Sequence, residues 1–147
     1  MINQSISVDI KKQEIAVKVE NANIGYLHKT IDIVYIIDAG ADPITPGVKG
    51  YLAVPFPCSI VQWDIYADQP GSIEIDIVKD TYANFPPSLG NSICGGVRPS
   101  LINTQKNRST DLAVWTTTIA SDEILGFRVL SANYVKKITL SLKVIRS

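Results

Sequence analysis

A chain of 147 residues fits one domain, and a domain of that length buries about two-thirds of the surface its unfolded chain exposes, so it needs no covalent staple. Fourteen Lys and Arg balance fourteen Asp and Glu, which leaves no net field to draw the chain toward nucleic acid or an anionic membrane. No stretch approaches the roughly 20 apolar residues of a membrane helix, and the start MINQSISVDIKK lacks the apolar run of a signal peptide.

The strongest signal is a period-2 alternation rich in β-branched residues, repeated from end to end. Ile6, Val8 and Ile10 share one face of a predicted strand; Ile15, Val17 and Val19 repeat the pattern, with KKQE (11–14) as the turn between them. Ile31, Ile33, Tyr35 and Ile37 form a third set, closed by the Gly and Pro punctuation of GADPITPG (40–47). Further strands are expected at 48–54, 60–67, 72–79, 112–119, 124–130 and 135–145. DQPG (68–71) has Pro and Gly at the centre of a tight turn, which predicts a hairpin between 60–67 and 72–79. SLINTQKNR (100–108) reads as a short helical turn capped by Ser100, and ICGGVRPS (93–100) as a bend rather than a phosphate cradle. About nine short strands with one long interruption between residues 79 and 112 give an all-β class, a two-sheet antiparallel β-sandwich of jelly-roll type.

Little in the residues points to catalysis. His28 is the single histidine, has no nucleophile-elbow pattern near it, and is expected to be an ordinary surface or turn residue. Cys58 and Cys94 form neither a disulfide framework nor a short-spaced zinc pattern and read as buried thiols of a reducing compartment. Asp64, Asp68, Asp76 and Asp80 fall at strand positions and ends where a pair that met across a hairpin would have the chemistry to hold calcium or act on a glycosidic bond, but outward acids on strands usually only face water. No catalytic, cofactor or metal residues are therefore assigned. Trp63, Tyr66, Tyr82, Phe85 and Trp115 have the chemistry to stack on a sugar; Trp63 and Trp115 suit core positions better.

DTYANFPPS (80–88) cannot continue a sheet, because Pro86 and Pro87 have no amide hydrogen for a ladder. It reads as the start of an inter-sheet crossover running to about Thr110, a length uncommon unless the loop is functional or locally packed. Asp80, Tyr82, Asn84 and Phe85 are its candidate contact or ligand residues: Asp80 and Asn84 make side-chain turns, and Tyr82 and Phe85 pin the loop to its own domain or a neighbouring protomer.

The segments GVKGYLAVPFPCSIVQWDIYADQPGSIEIDIVKDTYANFPPS (47–88), SICGGVRPSLINTQKN (92–107) and LAVWTTTIASDEILGFRVLSANYVKKITLSLKV (112–144) resemble a module recurrent in bacteriophage and prophage virion proteins. In that family a strand ends in D-x-W-K-D-T-Y-A-N-x-P-P, followed by D-S-I, a Pro-x-L segment, a W-T-T strand and a D-x-x-G-F-x-V strand. Val78 stands where the family often carries Trp, and Asn91 replaces the Asp before Ser92 and Ile93.

The resemblance implies a non-enzymatic virion structural protein, for capsid decoration or as part of a head or tail fibre, made in the bacterial cytoplasm. Its partners would be capsid or other virion proteins and further copies of itself, trimers among them. Residues 47–147 would be the module, and 1–46 would complete the sandwich or anchor it on the particle, with 1–30 as the docking segment. The competing expectations are a carbohydrate-binding module for host surface glycan, with Tyr82, Phe85 or a Trp exposed in a cleft, and a glycan-degrading carboxylate pair.

Overall fold

The structure, a computed structural model, describes residues 29–147. The strands expected at 6–10 and 15–19, and His28, lie outside the described residues. Residues Ile31–Ser147 form one compact unit. Its strands are β1 (Thr30–Asp38), β2 (Gly47–Val54), β3 (Cys58–Asp80), β4 (Ser100–Ser109), β5 (Thr118–Ile119), β6 (Glu123–Asn133) and β7 (Lys137–Arg146), with one 3-10 turn at Tyr82–Asn84.

The all-β antiparallel class is as expected, but the ladders do not divide into two separate sheets. All seven strands belong to one sheet of order β1-β7-β3-β6-β2, with β4 and β5 also on β3. The 23 residues of β3 make this so. Its first half pairs with β7, from Cys58↔Arg146 to Ala67↔Ile138, and its second half with β6, from Ser72↔Asn133 to Asp80↔Ile124. β6 and β7 therefore follow one another along the same edge of β3, while β4 runs along the other edge from Trp63↔Ser109 to Glu74↔Ser100.

The predicted hairpin at DQPG is overturned by this pairing: 60–67 and 72–79 are halves of one strand, not partners. Pro70 is tolerated because it falls between ladders, after β7 has ended at Ala67 and before β6 begins at Ser72, and the β4 register slips between Tyr66 and Gly71. The segment is a corner. The Asp68 carboxylate accepts the backbone N–H groups of Lys136 and Lys137, each at 3.0 Å, and the Gln69 side-chain amide donates to the Tyr134 carbonyl. Tyr134 and Asn103 both take positive φ, at 70° and 48°, between β6 and β7 and within β4 where the register with β3 shifts.

Period-2 alternation then places one face of both arms on a single core: Ile33 and Ile37 of β1, Trp63, Ile65, Ile73, Ile75 and Ile77 of β3, Leu125, Phe127 and Val129 of β6, and Ile138, Leu140, Leu142 and Val144 of β7. Each such side chain, once buried, contributes on the order of 1.5–3 kcal/mol relative to exposure. The curl is closed at its open side by Tyr35, whose ring stacks on Phe127 at 4.0 Å between centroids and whose hydroxyl donates to the Lys49 carbonyl at 3.0 Å.

Two further expectations are corrected. The expected helical turn at 100–108 is β4, a strand with most of its side chains exposed, defined by its ladder to β3 and not by apolar alternation. Of the expected strand 112–119 only Thr118–Ile119 is in a ladder. Its earlier part turns instead: the Trp115 N–H donates to the Leu112 carbonyl at 3.0 Å and the indole N–H to the Val97 carbonyl at 2.7 Å. The irregular stretch after β3 is thus shorter than a crossover reaching Thr110, because β4 begins at Ser100.

Candidate functional site

Asp80 is the last residue of β3, and it organises the loop that follows. Its carboxylate accepts the Thr81 N–H at 2.8 Å, the Asn84 side-chain amide at 3.0 Å and the Asn91 side-chain amide at 2.8 Å. The first two bonds wind 81–84 into the 3-10 turn, and the third ties the start of the loop to a residue 11 positions on. Asn91 is tied in its turn to β3, since the Lys79 N–H donates to its carbonyl at 3.1 Å. These donors hold the Asp80 pKa below its ordinary value, the Asn84 amide and the Thr81 N–H foremost.

The aromatic candidates separate in role. Phe85 meets the ring of Tyr51 on β2 edge-on at 4.8 Å, and Pro87 is buried, so the loop is fastened to its own domain. Tyr82 projects outward, 81% exposed. Trp63 and Trp115 are buried in the core, as their positions suggested. Both cysteines are free and buried. Burial pushes the Cys58 thiol up and the Cys94 thiol up to about 12.

The four aspartates are not brought together. Asp68 stands at the corner and Asp80 in the loop; Asp64 and Asp76 are buried on the outer face of β3, each with its own arginine. Asp76 accepts the Ser92 hydroxyl and lies 3.2 Å from Arg98 Nε, while Arg98 also reaches Glu74 at 3.1 Å. Asp64 accepts the Gln62 amide at 2.7 Å, the Tyr66 hydroxyl at 3.3 Å and Arg108 Nε. Burial alone would raise the Asp64 pKa, but the bonds from Gln62 and Arg108 and the charge of Arg108 outweigh it and hold the carboxyl below its ordinary value.

Ser92, Arg98 and Arg108 carry no functional signal in the sequence, and Asn91 stands out there only as a departure from the virion-module pattern. Their partners lie 11 to 44 residues away, and the expectation that outward acids on these strands only face water is corrected: Asp64 and Asp76 are 5% and 3% exposed, each covered by an arginine that offsets the cost of burying its charge. Among the described residues, no three His, Cys, Asp or Glu side chains are grouped so as to hold a metal ion. Asp64, Tyr66, Lys106, Asn107 and Arg108 line an open depression of about 380 Å³.

No protein-family model matches the chain, and no curated protein does. Solved structures are similar to it only at low identity and low TM-score. The capsid of Ralstonia phage GP4 has 14% identity and a TM-score of 0.47, over 82% of this chain and 86% of that one. The Israel acute paralysis virus pentamer has 12% identity and a TM-score of 0.36, over 87% and 92%. A carbohydrate-binding module, CBM4, has 8% identity and a TM-score of 0.34, over 79% and 84%. With TM-scores under 0.5, none of them assigns this chain to a family or lends it a function.

Proposed function

We propose that the chain is a non-enzymatic structural protein of a bacteriophage particle, a capsid decoration protein or a head- or tail-fibre component, working through protein–protein contacts with virion proteins and with copies of itself. The observation that carries this reading is the loop after β3. Three hydrogen bonds to Asp80 and the Phe85–Tyr51 contact fix its backbone, and the residue it presents is an exposed aromatic, Tyr82. A large aromatic ring projecting from a fixed stretch of backbone is the kind of anchor around which protein interfaces form. The ordered likeness of 47–144 to virion modules supports the same reading.

Immunogold electron microscopy of particles from a culture producing the protein tests it. Gold on capsids, fibres or tails is the expected result; protein found only free in the supernatant, with clean particles, overturns it.

A further inference from the structure

The depression at Asp64, Tyr66, Lys106, Asn107 and Arg108 lies on the outer face of β3 and β4, away from the loop described above. Its volume of about 380 Å³ falls near the lower end of small-ligand sites, ~300–1,000 Å³. Asp64, Tyr66, Asn107 and Arg108 are each held in place before any ligand arrives. Tyr66, 43% exposed, has its ring orientation set by the hydroxyl bond to Asp64. The Arg108 guanidinium is held by Nε on the same carboxylate and by the Tyr66 hydroxyl, yet its side chain is 62% exposed, which leaves further N–H donors facing solvent. Asn107 is committed elsewhere, its side-chain amide donating to the Ser100 carbonyl at 2.9 Å.

Charge decides the class of ligand. Asp64 and Arg108 neutralise each other, and Lys106 has no acidic partner among the described residues, so the depression carries a net positive charge. A flat aromatic face beside solvent-facing guanidinium donors and an ammonium suits a molecule with an apolar C–H face, hydroxyls and one carboxylate. We propose that this depression binds a carboxylate-bearing sugar residue of the hexuronate kind, its ring over Tyr66 and its carboxylate between the terminal nitrogens of Arg108 and the Lys106 ammonium. The site is separate from the Tyr82 loop, and the proposal does not depend on the virion reading.

Titrations of the full chain with D-glucuronate and D-galacturonate, followed by amide ¹H–¹⁵N shifts, test it, with D-glucose, D-galactose and acetate as controls. The expected result is saturable shifts at 64–66 and 106–108 for a uronate, with glucose, galactose and acetate at least about tenfold weaker. Tyr66→Ala and Lys106→Ala should each weaken uronate binding at least about fivefold, and Tyr82→Ala should leave it unchanged; the spectra themselves report whether each variant is folded. No saturable shift for either uronate up to about 50 mM overturns the proposal. So does acetate binding as tightly as the uronates, which would make this a plain anion patch, and so does uronate binding indifferent to Tyr66→Ala.

Discussion

Asp80 and Asn91 show how one atom decides whether a loop is fixed. The amide of Asn91 gives the Asp80 carboxylate its third donor; an Asp at that position would oppose it with a second carboxylate at the same short distance. Asn91→Asp is therefore expected to speed hydrogen exchange of the 81–85 amides at pH 7, and acidification should reverse the effect as the pair takes up a shared proton. The wild type behaves oppositely. Its folded-state Asp80 pKa is depressed, so the stabilisation is present above the ordinary carboxylate value of about 3.9 and is lost as pH falls through the folded value. Exchange mass spectrometry between pH 3 and 7, corrected for intrinsic rates, distinguishes the two directions. Gly50 poses a different atomic constraint: a Cβ there would lie 2.1 Å from the Tyr35 hydroxyl oxygen, at a φ of 149°. Gly50→Ala should cost about 1–3 kcal/mol in urea unfolding, and Gly90→Ala, where the nearest atom is 3.8 Å away, within about 0.5 kcal/mol of zero.

At the scale of elements, the corner at 67–72 matters most, because β3 and the β6–β7 run change direction there together and the β4 register slips alongside. Asp68 holds it by accepting two successive backbone N–H groups, those of Lys137 and Lys136, and these bonds keep its pKa below the ordinary value. Asp68→Ala leaves both amides without that acceptor. The expected outcome is a lower melting temperature at pH 7 and a difference from wild type that begins to shrink as the pH falls below about 4, the ordinary carboxylate value, and is lost as it passes through the depressed folded value. An equal gap at pH 7 and pH 3 would show that packing, not the charged acceptor, holds the corner. The same corner explains what the sequence could and could not disclose. Alternation at Ile73, Ile75 and Ile77 reveals which side faces the core, since that depends on neighbours two residues apart. It does not reveal the ladder partner, and Pro-Gly looks the same in a hairpin turn as in a bend between ladders. β4 was illegible for the complementary reason: lying along one edge of β3 with most side chains in solvent, it has no alternation to display. In the candidate loop the stop was legible from Pro86 and Pro87, whereas the anchoring of Asp80 by Asn91 requires the fold to bring β3 and the crossover together.

For the whole molecule the question is what a neutral, curled sheet with a rigid aromatic loop does in the presence of its own copies. Equal numbers of acidic and basic residues mean that no long-range repulsion opposes association. Tyr82 supplies an exposed aromatic ring on a backbone already ordered by Asp80, so packing it against a partner costs little additional backbone entropy. If such contacts build homo-oligomers, light scattering should return a mass that is a multiple of 16.1 kDa, and Tyr82→Ser should shift it toward the single-chain value without altering the unfolding midpoint. The unchanged midpoint is the discriminating part when it is read below the association concentration, because Tyr82 is in solvent while the fold is held by the core and by Phe85 on Tyr51. A wild type that stays at 16.1 kDa across concentrations would remove self-association from the functional reading and leave Tyr82 to a different protein of the particle.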